Sequence, residues 1–140
     1  MYRKEINDRS PLRILEHSIH GGLGAGNLGI VMSRAGAGST AFLVQIGLDD
    51  IMQDKDVLHI SLNHSVDHVL SWYEVLFSDL AETYHLDERG VVKQQLARHR
   101  IIQAFPKHEM IASQLEHVVA LYKKNIAFQP KAILIDGWNW

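Results

Sequence analysis

Short apolar runs spaced by helix-length segments constrain this chain more than any other feature. Val57-Leu58-His59-Ile60-Ser61-Leu62 and Lys131-Ala132-Ile133-Leu134-Ile135-Asp136 have the length and branching of buried strands, and Leu28–Met32 and Ile101–Phe105 are shorter runs of the same kind. The segments between them carry apolar residues at helical spacing. Val66, Val69, Leu70, Tyr73, Phe77, Leu80 and Tyr84 follow one face behind a Ser65 cap. Ile111, Leu115, Val118, Val119 and Tyr122 form the inner face of a helix predicted over His108–Lys124, and a shorter helix is predicted over Val91–His99. Ala41–Leu48 is apolar nearly all round, as in a helix covered on more than one side, and Asp49-Asp50 through Asp56 reads as its exit. Strands alternating with helices predict an α/β fold with a mainly parallel sheet and right-handed crossovers. A length of 140 residues suits one domain with its own core, so residues 1–140 are expected to fold as a single unit. Residues 1–10 are polar and expected to be loose, and Ser10-Pro11 opens a short helix reaching about His17.

A parallel sheet places ligand chemistry at the carboxyl ends of its strands. Those ends are expected at Ser33–Thr40, Asn63-His64, Pro106-Lys107 and Asp136-Gly137. The first is the most informative. From Gly29 to Thr40 an apolar run leads into a glycine-bearing loop and then a helix start at Ser39-Thr40. Glycines let successive backbone N–H groups point into one concavity, and a helix N-terminus adds its positive dipole end, which together suit a phosphate. The loop alone is equally compatible with an ordinary glycine turn. Asp136 alone is equally compatible with a carboxylate capping a turn at a strand end.

Several segments together resemble the RecA/KaiC-type P-loop ATPase domains. Gly21-Gly22-Leu23-Gly24-Ala25-Gly26-Asn27-Leu28 resembles the glycine-rich lead-in of that family. Ser33-Arg34-Ala35-Gly36-Ala37-Gly38-Ser39-Thr40 resembles its Walker A loop, Ile60–Ser65 its second strand and catalytic turn, and Ile133-Leu134-Ile135-Asp136 its Walker B strand. The similarity keeps the family's order across roughly residues 12–137. It implies a RecA-like fold and an ATP site on Arg34, Ala35, Gly36, Ala37, Gly38, Ser39 and Thr40, with magnesium held by Thr40 and Asp136. It also implies sites near subunit interfaces, hence a homo-oligomer. The family's sheet continues past the Walker B strand, with a later strand often lying between that strand and the loop strand. A chain stopping at Trp140 would be a fragment, or would fill that slot with Ile101–Phe105 or another chain.

The departures bear on activity. Ser39 stands where the family carries the lysine that contacts the β- and γ-phosphates, and Ser33 where it carries glycine or alanine. Asn63-His64 stands where it supplies a glutamate that activates water. One unit charge about 4 Å from a phosphate oxygen is worth roughly 4 kcal/mol at an effective dielectric near 20, or about three decades in affinity. Asparagine is no general base, and His64 is the one side chain at that turn with a suitable pKa. The expectation is a nucleotide-binding or relic phosphate loop with impaired or absent hydrolysis, serving regulation or assembly. Two alternatives remain: an active ATPase whose charge comes from Arg34, Lys107 or a neighbouring chain, and an interaction module that uses no nucleotide.

Composition narrows the classes further. There is no cysteine, which excludes disulfides, thiolate catalysis and Cys-based zinc sites. A formal net charge of -2 gives no bulk case for nucleic acid or an anionic membrane. The polar N-terminus is no signal peptide and no apolar run approaches spanning length, so a cytoplasmic protein is expected. His64 and His68 stand at i, i+4, a spacing compatible with a metal pair, but no third ligand is evident. His59 reads as a satisfied or edge histidine, Arg98-His99-Arg100 as a solvated helix end, and Trp72-Tyr73 as packing. Trp138 and Trp140 suggest burial against the domain, a partner chain or further sequence.

Overall fold

Residues Val57–Ser61 (β1) form the middle strand of a parallel sheet in the computed structural model, which describes residues 1–105 and 112–138. Every residue of β1 is buried, which explains its apolar Val-Leu-Ile framework. Arg100–Ala104 (β2) pairs on one side and Ala132–Asp136 (β3) on the other, giving the order β2-β1-β3. The register sets His59 opposite Ile102 and Leu134, and Ser61 opposite Ala104 and Asp136. The helices are Arg3–Asp8 (α1), Leu12–Ser18 (α2), Ser39–Met52 (α3), Val66–Thr83 (α4), Arg89–Arg98 (α5) and Ala112–Ile126 (α6). The predicted α/β class and parallel sheet are thus present.

Alternation along the strands divides the core in two. Val57 and Leu134 join Val44, Leu48 and Ile51 of α3, Val69, Tyr73 and Phe77 of α4, and Val92 and Leu96 of α5. On the other face Leu58 and Ile60 meet Phe128 and the half-buried Leu115, Val119 and Tyr122 of α6. The predicted inner face of the last helix is therefore confirmed at those positions, while Ile111 and Pro106-Lys107 lie outside the described residues. Ser65 caps α4 as expected, its hydroxyl accepting from the His68 N–H at 3.2 Å. No helix among the described residues is long and apolar enough to cross a membrane.

Four expectations need correction. Residues 3–8 are helical, not loose: Ile6 is buried, and the Asn7 amide donates to the Asp49 carbonyl (3.0 Å) and carboxylate (2.9 Å). Asp49 is part of α3, which runs on to Met52 because Asn7, Arg13 and Gln53 satisfy this carboxylate. Leu28–Met32 is not a buried strand. It is unpaired, with Leu28 84% and Met32 82% exposed, because no strand lies beside it among the described residues. Ile101–Ala104 does not occupy the slot beyond β3, since β2 hydrogen-bonds to the opposite side of β1.

Candidate functional site

The carboxyl edge of the sheet carries Asp136 at the end of β3 and Asn63 beside it, and the start of α3 points toward the same edge. Four residues link the end of α3 to the start of β1, so the C-terminus of α3 lies at the amino edge of the sheet and its N-terminus at the carboxyl edge. Contacts of α3 with β1 and β3 hold it in this direction, with Gly47 packed on Leu134 and the Tyr73 hydroxyl. Thr40 is seven positions before Gly47, about 10 Å along the helix toward the carboxyl edge.

Gly36 (φ 78°) and Gly38 (φ 91°) carry the chain into α3 through left-handed conformations that disfavour a side chain. The Ala37 N–H closes a turn on the Arg34 carbonyl at 3.1 Å. Gly38 is the N-cap and supplies no capping side chain, while its carbonyl takes the first helical bond from Phe42 N–H. The N–H groups of Ser39, Thr40 and Ala41 precede the first helical bond and have no backbone partner among the described residues. Arg34, Ala35, Gly36, Ala37 and Gly38 are exposed, and Ser39 and Thr40 are half-buried. Arg34 makes no ion pair among the described residues.

Asp136 ends β3 and is 3% exposed, and its Oδ2 has no hydrogen-bond partner among the described residues. Its carbonyl accepts from the Leu62 N–H at 2.9 Å, locking the second strand end beside it. Gly137 then turns at φ 83° with its α-carbon against the Asn63 side chain, where any Cβ would collide. Asn63 and Asp136-Gly137 are therefore neighbours. The His64 N–H donates to the buried Ser61 hydroxyl at 3.0 Å, and its ring stacks on His68 with centroids 4.2 Å apart. That stack uses the i, i+4 spacing, and no cluster of three ligating side chains occurs among the described residues.

Beneath this edge lies a polar group that the sequence pattern did not single out. His59 is on the middle strand, fully buried, and its Nδ1 lies 3.0 Å from the Tyr73 hydroxyl. It is neither an edge histidine nor fully satisfied, since Nε2 lacks a partner among the described residues. Burial pushes its pKa down to about 4, with the Asp136 carboxylate pulling upward and Arg100 adding to the fall. Burial likewise pushes the Tyr73 hydroxyl up, against the pull of Arg100. The Arg100 guanidinium lies over the Tyr73 ring, 4.9 Å from its centroid.

Arg98-His99-Arg100 is accordingly not one solvated cluster. Arg100 is half-buried on Tyr73, and His99 Nδ1 pairs with Asp56 at 2.8 Å. A histidine inside a middle-strand run, with a tyrosine on the buried face of the following helix, was the available signal for the buried group. Comparison with family models and with the sequences of characterised proteins finds no match to this chain.

Proposed function

We propose that this chain is a RecA-like P-loop domain that binds the phosphates of ATP at the N-terminus of α3 and hydrolyses them slowly or not at all. One observation carries the proposal. A helix start entered through left-handed Gly36 and Gly38 points toward the same sheet edge as a 97%-buried carboxylate, Asp136, whose Oδ2 has no partner among the described residues. A carboxylate oxygen has two acceptor sites, so a ligand or its bound water at this edge can engage Oδ2 beside any donor reaching it from below. The oxygen donors Thr40 and Asp136 fit magnesium, a hard cation, but two of them do not make a site by themselves. Phosphate oxygens and water would complete it, so metal and nucleotide should bind together. Bound magnesium would screen the charge of the phosphates there.

The residues of the turn account for the weak chemistry. Asn63 has no basic atom and packs on Gly137, and the His64 ring stacks on His68. Ser39 brings no cation to the phosphates. Arg34, exposed on the loop, is the charge nearest in sequence to the helix start, and Lys107 lies outside the described residues. The site thus binds more readily than it turns over, which suits a regulatory or assembly role in the cytoplasm.

Calorimetry and thermal shift with Mg·ATP test this directly. No heat and no shift at millimolar ligand would sink it. Ser39→Lys should tighten binding by up to about three decades, and Asp136→Asn should abolish the magnesium dependence. A specific observation also favours a second reading, an interaction module that assembles without nucleotide. The outer edge of β3 pairs with no strand among the described residues, and Leu28, Ile30, Val31 and Met32 are exposed. That reading predicts a sedimentation coefficient that rises with protein concentration in the absence of ATP.

A further inference from the structure

Two polar atoms on the face of the sheet beneath α3 and α4 are buried without partners among the described residues. They are Nε2 of His59 and Oδ2 of Asp136. Buried donors and acceptors are rarely left unmade, so each calls for a physical explanation. Their placement supplies one. His59 pairs with Leu134 in the register, and Ser61 pairs with Asp136. Side chains alternate along a strand, so His59, Ser61, Leu134 and Asp136 all project to the same face. His59 and Asp136 are diagonal neighbours, one strand across and two residues along. Strand spacings of about 4.8 Å and about 3.3 Å per residue put their α-carbons on the order of 8 Å apart. Nε2 and Oδ2 do not bond each other directly, and an imidazole and a carboxylate on such a diagonal are within reach of one bridging water.

The other ring nitrogen decides which atom carries the proton. His59 Nδ1 lies 3.0 Å from the Tyr73 hydroxyl. If Nδ1 were the protonated nitrogen, it would donate to the Tyr73 oxygen and the buried Tyr73 O–H would lose this acceptor. If Tyr73 donates to Nδ1, the neutral ring carries its proton on Nε2. The unpartnered atom is then a donor on the same sheet face as an unpartnered acceptor. Only the second arrangement gives the Tyr73 O–H its acceptor. Burial keeps the ring neutral, so a single tautomer is at stake.

We infer that His59 is a positioning residue for the Asp136 carboxylate, with the Tyr73 O–H donating to His59 Nδ1 and the His59 Nε2–H donating to Asp136 Oδ2 through one bridging water. Tyr73 is itself fixed between Gly47 and the Arg100 guanidinium. The chain of contacts therefore runs from the rigid underside of the sheet to the carboxylate at its edge. The hydrogen-bond chain stands independently of any ligand. That Asp136 then meets a metal rests on the proposed function, where such outer-shell partners orient the group that does the binding.

Long-range proton–nitrogen NMR of the ligand-free full chain tests the chain itself. His59 should show the Nε2-protonated tautomer at neutral pH, and Asp136→Asn should shift its Nε2 resonance. A wild-type Nδ1-protonated tautomer would overturn the inference without any variant. So would an Nε2 resonance unmoved by Asp136→Asn in a protein whose backbone spectrum is otherwise wild-type. Mg·ATP titration tests the positioning role. His59→Gln keeps a donor and should stay within a few-fold of wild type, whereas His59→Leu should lose tenfold or more. Equal affinity of His59→Leu and wild type refutes positioning. Absence of Mg·ATP binding to wild type refutes the proposed function instead, and the tautomer still decides the hydrogen-bond chain.

Discussion

Two regions meet at the carboxyl edge of the sheet and differ in almost every physical respect. Beneath the edge, Gly47, His59, Tyr73 and Leu134 pack with the closeness of a core. Above it, residues 20–38 form a glycine-rich arm that is nearly all exposed, apolar side chains included. The underside has one arrangement and costs much to disturb. The arm is held by few contacts, among them the Asn27 amide on the Leu23 carbonyl at 2.7 Å. A close-packed base under an exposed loop is a common way to build a ligand site, since the loop can respond to a ligand without straining the core. Substitutions in the two regions should therefore separate stability from ligand response.

The largest stability effect is expected at Tyr73. Tyr73→Ala removes a buried ring and leaves His59 Nδ1 without its partner, so a loss of about 3–5 kcal/mol is expected in urea unfolding. A loss below about 1 kcal/mol would mean that the underside is not the rigid half.

Acidification should act next, through His59. Its ordinary pKa of 6.5 applies in the unfolded chain, while the folded value is about 4. Between these values the unfolded chain binds the proton more readily, so stability falls as pH drops from 6.5 to 4. The full difference is about 3 kcal/mol, present above pH 6.5 and lost below pH 4. The measurement is the difference between wild type and His59→Gln, whose stability should lack this component of the acid slope. Parallel slopes would show that His59 is not held neutral by burial.

Gly47→Ala should follow at about 1–3 kcal/mol. On an exposed helix the same change would stabilise by up to about 1 kcal/mol through helix propensity. Here the new methyl meets the Tyr73 hydroxyl and lies 3.0 Å from Leu134 Cδ1. The Tyr73 ring cannot step aside without breaking its bond to His59. Restored stability in Gly47→Ala combined with Tyr73→Phe would identify the hydroxyl as the obstacle.

The parts legible from sequence are those fixed by local pattern. Val57–Ser61, Ala132–Asp136 and the helix capped by Ser65 follow from branching, alternation and capping, and the structure places them as expected. Their register also brings Asn63 beside Asp136-Gly137, as a parallel sheet requires. What pattern could not give was partnership across long separations. The Asn7 amide finds Asp49 across 42 residues, and a polar-looking N-terminal segment becomes a docked helix. His59 finds Tyr73, and Arg100 covers that ring, so a charged triplet at a helix end becomes part of the core wall. Leu28–Met32 has strand composition, but a strand needs a neighbour to exchange hydrogen bonds with, and composition does not provide one.

The smallest effect is expected on the arm, and it is the sharpest test of the contrast. Leu28→Ser combined with Met32→Ser removes two large apolar side chains that the structure leaves 84% and 82% exposed. Surface substitutions of this kind usually change stability by less than about 0.5 kcal/mol. If instead the arm docks in solution, against the outer edge of β3 or against a second copy, each side chain would contribute about 1.5–3 kcal/mol of burial. The urea midpoint distinguishes these cases, provided the m-value is unchanged, because a docked arm would also alter the surface exposed on unfolding. Repeating the measurement across protein concentrations separates docking within a molecule from docking between molecules. Only the second makes the midpoint depend on concentration. A shift near zero at every concentration leaves the arm as a loop that only a ligand or partner orders. A concentration-dependent loss would place Leu28 and Met32 in an interface and give the two halves of this edge a similar rigidity.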